Sequence, residues 1–407
     1  MSVAHTLPGP HPVAPPAAEH LPWATAREIA GRTGAPLPAI SRSLSGAVGH
    51  ALAEPLTALT DLPAFDTSAM DGWAVSGPGP WRLGTGGILA GDVPRPLRTG
   101  TARPIATGAP VPAGATAVLR RENGTESAGL LRSGAPLPTG HDIRHRAQEC
   151  GTGATLLDAG TTVTPAVAAL AAAAAHDRLR VHRQPTVQLV VTGSELTTSG
   201  IPSAGRVRDA LGPLLDPALR SSGAWWSGRH PVGDDPDALR DLLRHAPADV
   251  IITTGGTSAG PTDLVHEALD AVGGRLLVDS VAVRPGHPML LAELPPAADE
   301  SPRRLVGLPG NPLAAVAGLV TLAVPLLRRL GGHQPAEARR CSTAAAFPGH
   351  ARDVRLVPAK IENGRAVPLP FDGPAMLRGV ALADALAAVP PGGVPAGTDV
   401  EVLDLPR

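Results

Sequence analysis

Residues 254–263, with the sequence TGGTSAGPTD, contain the groups best suited to bind a phosphate. They follow an apolar run, residues 249–253, that is typical of a buried strand, and they precede a helix predicted over residues 264–269. Backbone amides at glycines can approach an anion closely, and neighbouring hydroxyls add donors. The segment equally fits an ordinary turn in which Asp263 faces the positive end of the helix dipole. The candidate phosphate-binding residues are Gly255, Gly256, Thr257 and Ser258.

Carboxylates that follow other predicted elements are candidate ligands for a divalent cation. Glu195 comes after a strand predicted over residues 186–191, and Asp209 either joins such a site or caps the helix that follows it. Asp235 precedes a proline, as expected for an N-cap residue followed by the first helical residue. Asp234 is then left without a structural role, and we therefore prefer it as the functional residue of the two.

Two stiff loops occur in the same half of the chain. In residues 283–288, two prolines fix the backbone and place Arg284 and His287 in a cationic turn that suits a small oxyanion. A plain turn between strands explains this loop as well. In residues 308–312, Asn311 is predicted to cap the helix that follows. The candidate oxyanion-binding residues are Arg284, Pro285 and Pro288.

Three polar segments in the N-terminal half combine acids, hydroxyls and arginines without a helical period. Strand alternation would place Arg144 and Arg146 on one face. Composition alone leaves each segment open to interpretation as a solvated loop or strand. The segments are residues 65–74, 105–112 and 143–149, and they contain Asp71, Thr107 and Glu149.

The overall composition excludes several kinds of partner. The chain has 407 residues, enough for roughly two to four domains. Tyr is absent, with only Phe 3 and Trp 5, so aromatic stacking platforms for nucleic-acid bases are nearly excluded. Lys+Arg 35 against Asp+Glu 36 leaves no basic excess for a nucleic acid or an anionic membrane. We therefore expect no nucleic-acid partner and no membrane partner.

The cysteines and the N-terminus favour a cytoplasmic protein. Cys150 and Cys341 are too few for a disulfide framework or a four-thiolate zinc site, which favours a reducing compartment. Residues 1–20 are rich in Pro, Ala and His and lack the basic start and apolar block of a signal peptide, so we expect a disordered lead-in. The longest apolar run, residues 166–175, is too short to span a bilayer.

The elements that must position these residues change in character along the chain. Residues 61–150 are predicted to form short strands between Gly and Pro turns, which indicates a small β domain. From residue 184, strands alternate with helices, which predicts a parallel sheet that binds its ligand at the carboxyl ends of the strands. Short strands after about residue 333 predict a C-terminal barrel. Further helices are predicted over residues 24–33, 44–53, 165–176 and 312–330.

Seven of these segments together resemble one family. In this order and spacing they are similar to the signatures of the molybdopterin molybdenumtransferases, which include the bacterial MoeA proteins, the E domain of gephyrin and the plant equivalent. A single segment would be weak support, whereas seven in order are specific. The resemblance extends from about residue 21 to the C-terminus. The segments are residues 65–74, 107–112, 143–149, 192–196, 254–263, 285–288 and 308–312.

The resemblance implies an α/β and β multidomain fold with a doubly wound α/β domain that binds molybdopterin. It also implies an elongated homodimer with a site shared between subunits. Asp71, Thr107 and Glu149 of one subunit would then face residues 192–196 and 254–263 of the other. The implied domains, after a lead-in over 1–20, are an elongated linking domain (21–60 with 151–183), a small β domain (61–150), the α/β domain (184–332) and a C-terminal β-barrel (333–407).

The resemblance implies an enzyme of molybdenum cofactor biosynthesis, a molybdenum insertase. Its substrates would be adenylylated molybdopterin and molybdate, and Mg²⁺ would assist cleavage of the pyrophosphate link with release of AMP. Implied partners are a molybdopterin adenylyltransferase and the molybdoenzymes that receive the cofactor. The implied catalytic residues are Asp71, Thr107, Glu149, Glu195, Asp234 and Asp263; the implied cofactor-binding residues are Gly255, Gly256, Thr257, Ser258, Arg284, Pro285 and Pro288; the implied metal ligands are Glu195, Asp209 and Asp263.

The chain departs from the family pattern at several of these positions. Ser194 stands where the family has an aspartate before Glu195. Glu149 replaces an aspartate, and Ser280 stands at a lysine position. The pattern Tyr-Asp-Ser/Thr-Asn appears over residues 208–211 as Arg-Asp-Ala-Leu. The alternative function is therefore a non-catalytic relative, either a molybdopterin-binding protein or a scaffold that pairs with an active one.

Overall fold

The computed structural model describes residues 20–257, 264–297 and 300–406 and divides them into two compact units. The first unit comprises residues 20–38 and 183–406, and the second comprises residues 39–182. Residues up to 38 therefore lie in the first unit, although we predicted them within a linking domain over 21–60. The full four-domain division stays a prediction. The lead-in predicted over 1–20 lies outside the described residues except for His20.

The described helices and strands are short. The helices are α1 (Trp23–Arg32), α2 (Leu44–Ala47), α3 (Pro165–Ala173), α4 (Leu211–Ser221), α5 (Pro236–His245), α6 (Leu264–Val272), α7 (Pro312–Gly318), α8 (Val324–Leu330) and α9 (Arg378–Leu382). A 3-10 turn covers Arg121–Asn123, and a π-helical segment, Leu319–Ala323, joins α7 to α8.

The strands are β1 (Leu21–Pro22), β2 (Ala39–Ser43), β3 (Leu56–Thr57), β4 (Thr67–Ser68), β5 (Gly72–Val75), β6 (Trp81–Leu83), β7 (Thr101–Ile105), β8 (Ala117–Arg120), β9 (Gly124–Ser127), β10 (Leu130–Ser133), β11 (Ile143–Arg144), β12 (Thr155–Leu157), β13 (Arg178–His182), β14 (Thr186–Val191), β15 (Leu196–Thr197), β16 (Val207–Arg208), β17 (Trp225–Pro231), β18 (Val250–Thr254), β19 (Arg275–Asp279), β20 (Val281–Arg284), β21 (Leu290–Leu294), β22 (Arg303–Leu308), β23 (Arg339–Thr343), β24 (Val354–Glu362), β25 (Arg365–Pro368), β26 (Ala385–Val389) and β27 (Asp399–Asp404).

The first unit contains a six-stranded sheet in the order β17-β14-β18-β22-β21-β19. The first four strands are parallel, and β21 and β19 continue the sheet antiparallel. Leu189 of β14 packs in a core with residues of α4 and α7, whereas Val190 packs with residues of α5 and α6. Helices therefore cover both faces, which explains why β14 and β18 are almost entirely buried. The predicted doubly wound parallel sheet is confirmed, with an antiparallel extension that was not predicted.

The first unit also contains the predicted C-terminal barrel. Strands β24, β25, β23, β27 and β26 follow one another around it, and pairing of β24 with β26 closes it. Alternate small residues of these strands, such as Val357, Ala359 and Ala385, point into its core. Strand β20 pairs in parallel with β24, so the barrel sheet is extended by residues that lie before the predicted boundary at 333.

Of the four further helices predicted, three agree with the structure, and one prediction is wrong. α1 matches its predicted range within one residue, and α3 begins where Thr164 accepts a hydrogen bond from the amide of Val167 at 3.2 Å. The helix predicted over residues 44–53 ends at Ala47. Its second half pairs with neighbouring backbone instead, since Leu52 forms a bridge with Val181.

The helical stretch Pro312–Leu330 is confirmed as a continuous core element. It is long and apolar enough to cross a membrane, and it is the only such helix in the part of the chain that the structure describes. Its most apolar window is 78% buried inside the protein, among the strands and helices of the first unit. Its apolar character is therefore explained by packing in this core.

The second unit is built on a six-stranded sheet in the order β8-β5-β7-β6-β10-β9. Trp73 and Val75 of β5 pack with Trp81 on one face, and Ala74 packs with Ile88 on the other. Two-stranded ribbons β13-β2, β12-β3 and β11-β4 complete the unit. The predicted small β domain is thus present.

Candidate functional site

Three loops meet at the carboxyl edge of the parallel sheet, as the sequence predicted. The amide and hydroxyl of Thr192, after β14, both donate to the carbonyl of Thr254, at 3.3 and 2.6 Å. The amide of Gly255, after β18, donates to the carbonyl of Leu308 at 2.8 Å. A Cβ on Gly310 would lie 3.6 Å from the Cα of Gly255. The loops after β14, β18 and β22 therefore form one surface.

Gly255 is required by the local geometry. Its φ is +86°, and a Cβ there would lie 2.8 Å from the hydroxyl oxygen of Thr192. Gly256 follows with φ +65°, and its carbonyl accepts from the amide of Val265 in α6 at 3.2 Å. Thr257 is buried, at 4% exposure. The other two predicted residues of this loop, Ser258 and Asp263, lie outside the described residues.

The loop after β14 is tied to the start of α5 by a reciprocal pair of hydrogen bonds. The amide of Ser194 donates to Oδ2 of Asp234 at 2.9 Å, and the amide of Asp234 donates to the Ser194 hydroxyl at 3.2 Å. Asp235 caps α5, as predicted, by accepting from the amides of residues 237 and 238. Our premise that Asp234 lacks a structural role is therefore wrong, because its carboxylate holds the loop that precedes Glu195.

Glu195 is an exposed side chain at the same edge. Its Oε2 lies 2.7 Å from the position that a Cβ on Gly193 would take, so the carboxylate folds back over the loop. Within the described residues the Glu195 carboxylate accepts no hydrogen bond, which leaves both of its oxygens open to a ligand. Among the described acids predicted at this edge, Glu195 is thus the one whose carboxylate has no structural partner.

Asp209 is buried, and both of its carboxylate oxygens already have partners. Its Oδ1 accepts from the amides of Leu211 and Gly212, both at 3.0 Å, at the start of α4. Its Oδ2 lies 2.7 Å from Nη1 of Arg229. Of the two roles that the sequence left open, the structure therefore supports the cap. The sequence pattern did not indicate the Arg229 partner, because β17 brings it close only through the fold.

The described carboxylates can supply only one or two of the ligands of a divalent cation. No group of three or more His, Cys, Asp or Glu side chains gathers anywhere within residues 20–257, 264–297 and 300–406. Mg²⁺ commonly uses one or two protein carboxylates, with water and substrate phosphates as the remaining ligands. Glu195 and the loop-bound Asp234 fit that requirement. Asp209 fits poorly, since it would have to give up Arg229.

The proline loop predicted to bind an oxyanion is a turn between β20 and β21. Pro285 is buried, and Pro288 is partly exposed. Nε of Arg284 lies 2.8 Å from Oδ2 of Asp353, a buried carboxylate in the barrel region that the sequence did not single out. Burial lowers the pKa of His287, which disfavours the positive charge we expected from its ring. Arg284 alone supplies that charge here.

The helix cap predicted at Asn311 is only partly confirmed. Asn311 occupies the N-cap position of α7 and Pro312 the first helical position, as predicted. The Asn311 side chain, however, makes no capping hydrogen bond. Its amide group is therefore not used by the helix.

In the second unit, the structure brings Asp71 and Thr107 together. The amide of Thr107 donates to Oδ1 of Asp71 at 2.7 Å, and this contact lowers the pKa of the Asp71 carboxyl. The next residue, Gly72, cannot carry a side chain, because a Cβ would lie 1.9 Å from the carbonyl oxygen of Leu119 in β8. The exposed Asp71 carboxylate is therefore ionised and fixed just before the start of β5.

Two acids hold the segment that contains Glu149: Asp61, which sequence reasoning missed, and Asp66, which lies in the polar segment 65–74 but was not predicted as a site residue. Asp66 accepts from the amide of Arg146 at 2.7 Å, and Asp61 pairs with the Arg146 side chain. Hydrogen bonds from the amide and hydroxyl of Thr152 and from Arg146 lower the pKa of Asp61 to about 2. Only their positions in loops before β4 hinted at such a role.

The prediction that Arg144 and Arg146 share a strand face is wrong, because β11 ends at Arg144. Glu149 lies beyond it with an exposed side chain, and its amide donates to the carbonyl of Leu62 at 2.9 Å. Asp71, Thr107 and Glu149 belong to the second unit, and the other described candidates belong to the first. The roles predicted for the individual residues stay predictions.

Known protein families match the chain in the same order as these segments. The matching models are the MoeA N-terminal region (domain I and II) over residues 21–175, a probable molybdopterin binding domain over residues 188–329, and the MoeA C-terminal region (domain IV) over residues 340–405. The matches cover both units of the structure.

Curated and solved relatives give the same result. Molybdopterin molybdenumtransferase 2 of Mycobacterium tuberculosis is 34% identical over 396 residues, 90% of this chain and 95% of the relative. Molybdopterin molybdenumtransferase of Synechococcus elongatus is 32% identical over 292 residues, 68% of this chain and 72% of the relative. The crystal structure of a molybdopterin biosynthesis MoeA protein from Pyrococcus horikoshii superposes with a TM-score of 0.74 at 25% identity, covering 95% of this chain and 99% of that one. The fold, the order of the segments and these relatives together show that the chain belongs to the MoeA family of molybdopterin molybdenumtransferases.

Proposed function

We propose that this chain is a cytoplasmic enzyme of molybdenum cofactor biosynthesis that inserts molybdenum into molybdopterin. Its substrates are adenylylated molybdopterin and molybdate, and it releases AMP. The observation that carries the proposal is the meeting of residues 192–195, 255–257 and 309–311 at the carboxyl edge of the parallel sheet, in a member of this family. Ligands of parallel α/β sheets bind at that edge.

Different residues bind the two substrates in this proposal. The backbone amides of Gly256 and Thr257 bind the pyrophosphate link of adenylylated molybdopterin, while the amide of Gly255 holds the loop in place by donating to Leu308. Arg284, fixed by its ion pair with Asp353, attracts the molybdate dianion. Groups held in place before the reaction need little reorganisation as charge develops.

Glu195 and Asp234 are the described residues that hold Mg²⁺ in this proposal. When bound, the cation neutralises charge on the phosphate oxygens as the link breaks. The Glu195 carboxylate lies over its loop with both oxygens open, and Asp234 keeps the adjacent loop in place through Ser194. Asp263 belongs to the same proposal only through the family resemblance.

Replacing Ser194 by aspartate is expected to strengthen Mg²⁺ binding. The added carboxylate would lie beside Asp234 and Glu195, where the wild-type chain offers a neutral hydroxyl. We expect the Mg²⁺ concentration for half-maximal AMP release to fall on the order of tenfold, about 1.4 kcal/mol, because water partly screens loop carboxylates. Glu195→Gln should raise it by more, since it removes a charge with no other partner. Titration of AMP release with Mg²⁺ measures both shifts.

The matched control is Thr198→Asp, which adds the same charge at an exposed position four residues further along the segment. It should leave the Mg²⁺ titration unchanged. An unchanged titration in Ser194→Asp together with full activity in Glu195→Gln would show that this loop does not bind the metal. Glu195 would then be a solvated acid after a strand.

We also propose that two copies of the chain share each site, with Asp71, Thr107 and Glu149 contributed by one copy and residues 192–195 and 255–257 by the other. Asp71→Ala and Glu195→Gln proteins should each be impaired alone. After subunit exchange, each mixed dimer would carry one intact site, so about a quarter of wild-type activity should return. Mass spectrometry of differently tagged chains verifies the exchange. Exchanged but inactive mixtures of folded variants would contradict the shared site.

The non-catalytic alternative is supported by one set of observations. Ser194 replaces a family carboxylate, and Asp209 is neutralised by Arg229, so fewer charges face a cation here than the family pattern provides. A molybdopterin-binding protein or scaffold would need the loops but not the cation. The two functions differ in one measurable step, the release of AMP.

A further inference from the structure

A cavity of about 600 Å³ lies within the second unit. Its lining includes four arginines, Arg82, Arg95, Arg98 and Arg103, against one carboxylate, Asp92. The chain as a whole is nearly neutral, with a formal charge of −1. The cavity is therefore a local concentration of positive charge, and none of the residues assigned above to molybdopterin or Mg²⁺ lines it.

Two of these arginines stand on neighbouring strands and face the cavity for a structural reason. Arg82 of β6 lies opposite Thr101 of β7 in a parallel pairing, and Arg103 follows Thr101 by two residues, so the three share one face. Their neighbours along the two strands, Trp81 before Arg82 and Ala102 between Thr101 and Arg103, are buried in the core on the opposite face. The strand pairing thus forces the two guanidinium groups to the same side.

The connection between β6 and β7 brings the other two arginines to the rim. Pro94 and Pro96 restrict the backbone on either side of Arg95. Leu97, only 8% exposed, anchors the segment through a 2.8 Å hydrogen bond from its amide to the carbonyl of Ala113. Arg98 follows this anchor directly. Both rim arginines are therefore held by a stiff, attached segment.

The positive charge in the cavity is not neutralised by the protein. Within the described residues, no carboxylate forms an ion pair with any of the four arginines, and Asp92 instead accepts from the amide of Leu89 at 2.7 Å. Nε of Arg103 is buried and has no hydrogen-bond partner, while its Nη2 donates to the carbonyl of Gly86 at 3.3 Å. A buried donor without an acceptor is costly, and an anion in the cavity would remove that cost.

We propose that this cavity binds a small anion that carries two or more phosphate groups. Guanidinium groups pair with phosphate oxygens through two parallel hydrogen bonds, and four of them suit more than one phosphate. The volume lies within the roughly 300–1,000 Å³ of small-molecule pockets. The lining, all of it in described residues, contains no aromatic side chain, so recognition depends on the phosphates and not on a stacked ring.

This site is separate from the proposed molybdopterin site and does not depend on it. Three residues lie between Arg103 and Thr107, so these two residues are about 13 Å apart along extended chain. Neither Asp71 nor Thr107 lines the cavity. The anion therefore need not be a substrate. Its binding can be measured whether or not the chain inserts molybdenum.

The test is calorimetric titration of the full-length chain with pyrophosphate, combined with hydrogen–deuterium exchange to locate the bound anion. We expect pyrophosphate to protect amides in residues 82–103. The double variant Arg95→Ser/Arg98→Ser, changed only at the exposed rim, should bind pyrophosphate at this site at least tenfold more weakly. Arg132→Ser, an exposed arginine of β10 outside the cavity, should bind like the wild type.

Pyrophosphate binding that is unchanged in the double variant, or protection confined to residues 254–257, would overturn the proposal. A second titration uses a short polyglutamate peptide. If the rim variants weaken binding of this peptide while pyrophosphate does not bind, the cavity is a docking site for an acidic protein segment, and the small-anion proposal is wrong. Arg103→Met serves as an independent variant, because it removes the buried Nε and leaves the rim intact.

Discussion

Replacing Asp249 by alanine is expected to lower the free energy of unfolding by about 3 kcal/mol. Asp249 is 6% exposed and accepts from Nη1 and Nη2 of Arg183 at 2.7 and 2.8 Å. It also accepts from the amide of Thr186 at 2.7 Å, where β14 begins. The substitution would remove the carboxylate that pairs with a partly buried guanidinium and would leave the Thr186 amide without this acceptor, at the amino ends of the strands that carry the site. Urea denaturation followed by circular dichroism measures the loss.

The same prediction has a pH dependence with a definite sign. Burial alone would raise the pKa of Asp249, but hydrogen bonds from Arg183 and Thr186 together hold it below the ordinary 3.8. The contribution of Asp249 is therefore fully present above pH 3.8 and is lost as the pH falls through the lower pKa of the folded state. The difference in unfolding free energy between wild type and Asp249→Ala should therefore become smaller as the pH falls below 3.8.

Asp216→Ala is the matched control for Asp249→Ala, because its exposed pair with Arg220 lies on the surface of α4 in the same unit. A surface pair of this kind contributes about 0.5 kcal/mol. Equal stability of the two variants would contradict the role of Asp249 as the buried anchor of β14 and β18.

Asp71→Ala should reduce AMP release by about 100-fold or more, the loss expected when one preorganised charged or donor group is removed from an active site. The variant loses the negative charge and leaves the Thr107 amide without its acceptor. Asp71→Asn keeps an acceptor for that amide but not the charge, so it should fold normally and still lose most activity. Steady-state AMP release by the two variants measures the separate contributions of charge and position.

Asp158→Ala provides the control, since Asp158 is another exposed acid of the second unit. It should retain wild-type AMP release. If Asp71→Ala also retains wild-type AMP release, the acid just before β5 does not take part in the reaction. If Asp71→Asn alone is fully active, Asp71 serves only to position Thr107.

Much of the fold could be predicted because its main elements have strong local signals. β14 was predicted with its exact bounds because it is a short apolar run of β-branched residues between turns. α3 and α5 follow from an N-cap residue and a proline at the first helical position. The helix predicted over residues 44–53 failed because tertiary pairing of Leu52 with Val181 overrides a local apolar spacing.

The candidate site was predicted as a set of positions but not as a set of contacts. The convergence of loops after β14, β18 and β22 follows from parallel topology, which the alternation of elements already indicates. The partners that decide the electrostatics are distant in sequence. Arg229 reaches Asp209, and Asp353 reaches Arg284, only because strands bring them together.

The most direct test of the proposed function is turnover by the purified full-length chain with adenylylated molybdopterin, molybdate and Mg²⁺. The assay follows AMP and the molybdenum bound to the pterin product. The proposed function predicts AMP release that requires Mg²⁺ and is matched by molybdenum on the product. A folded chain that binds adenylylated molybdopterin but releases no AMP would contradict it and would support the non-catalytic alternative.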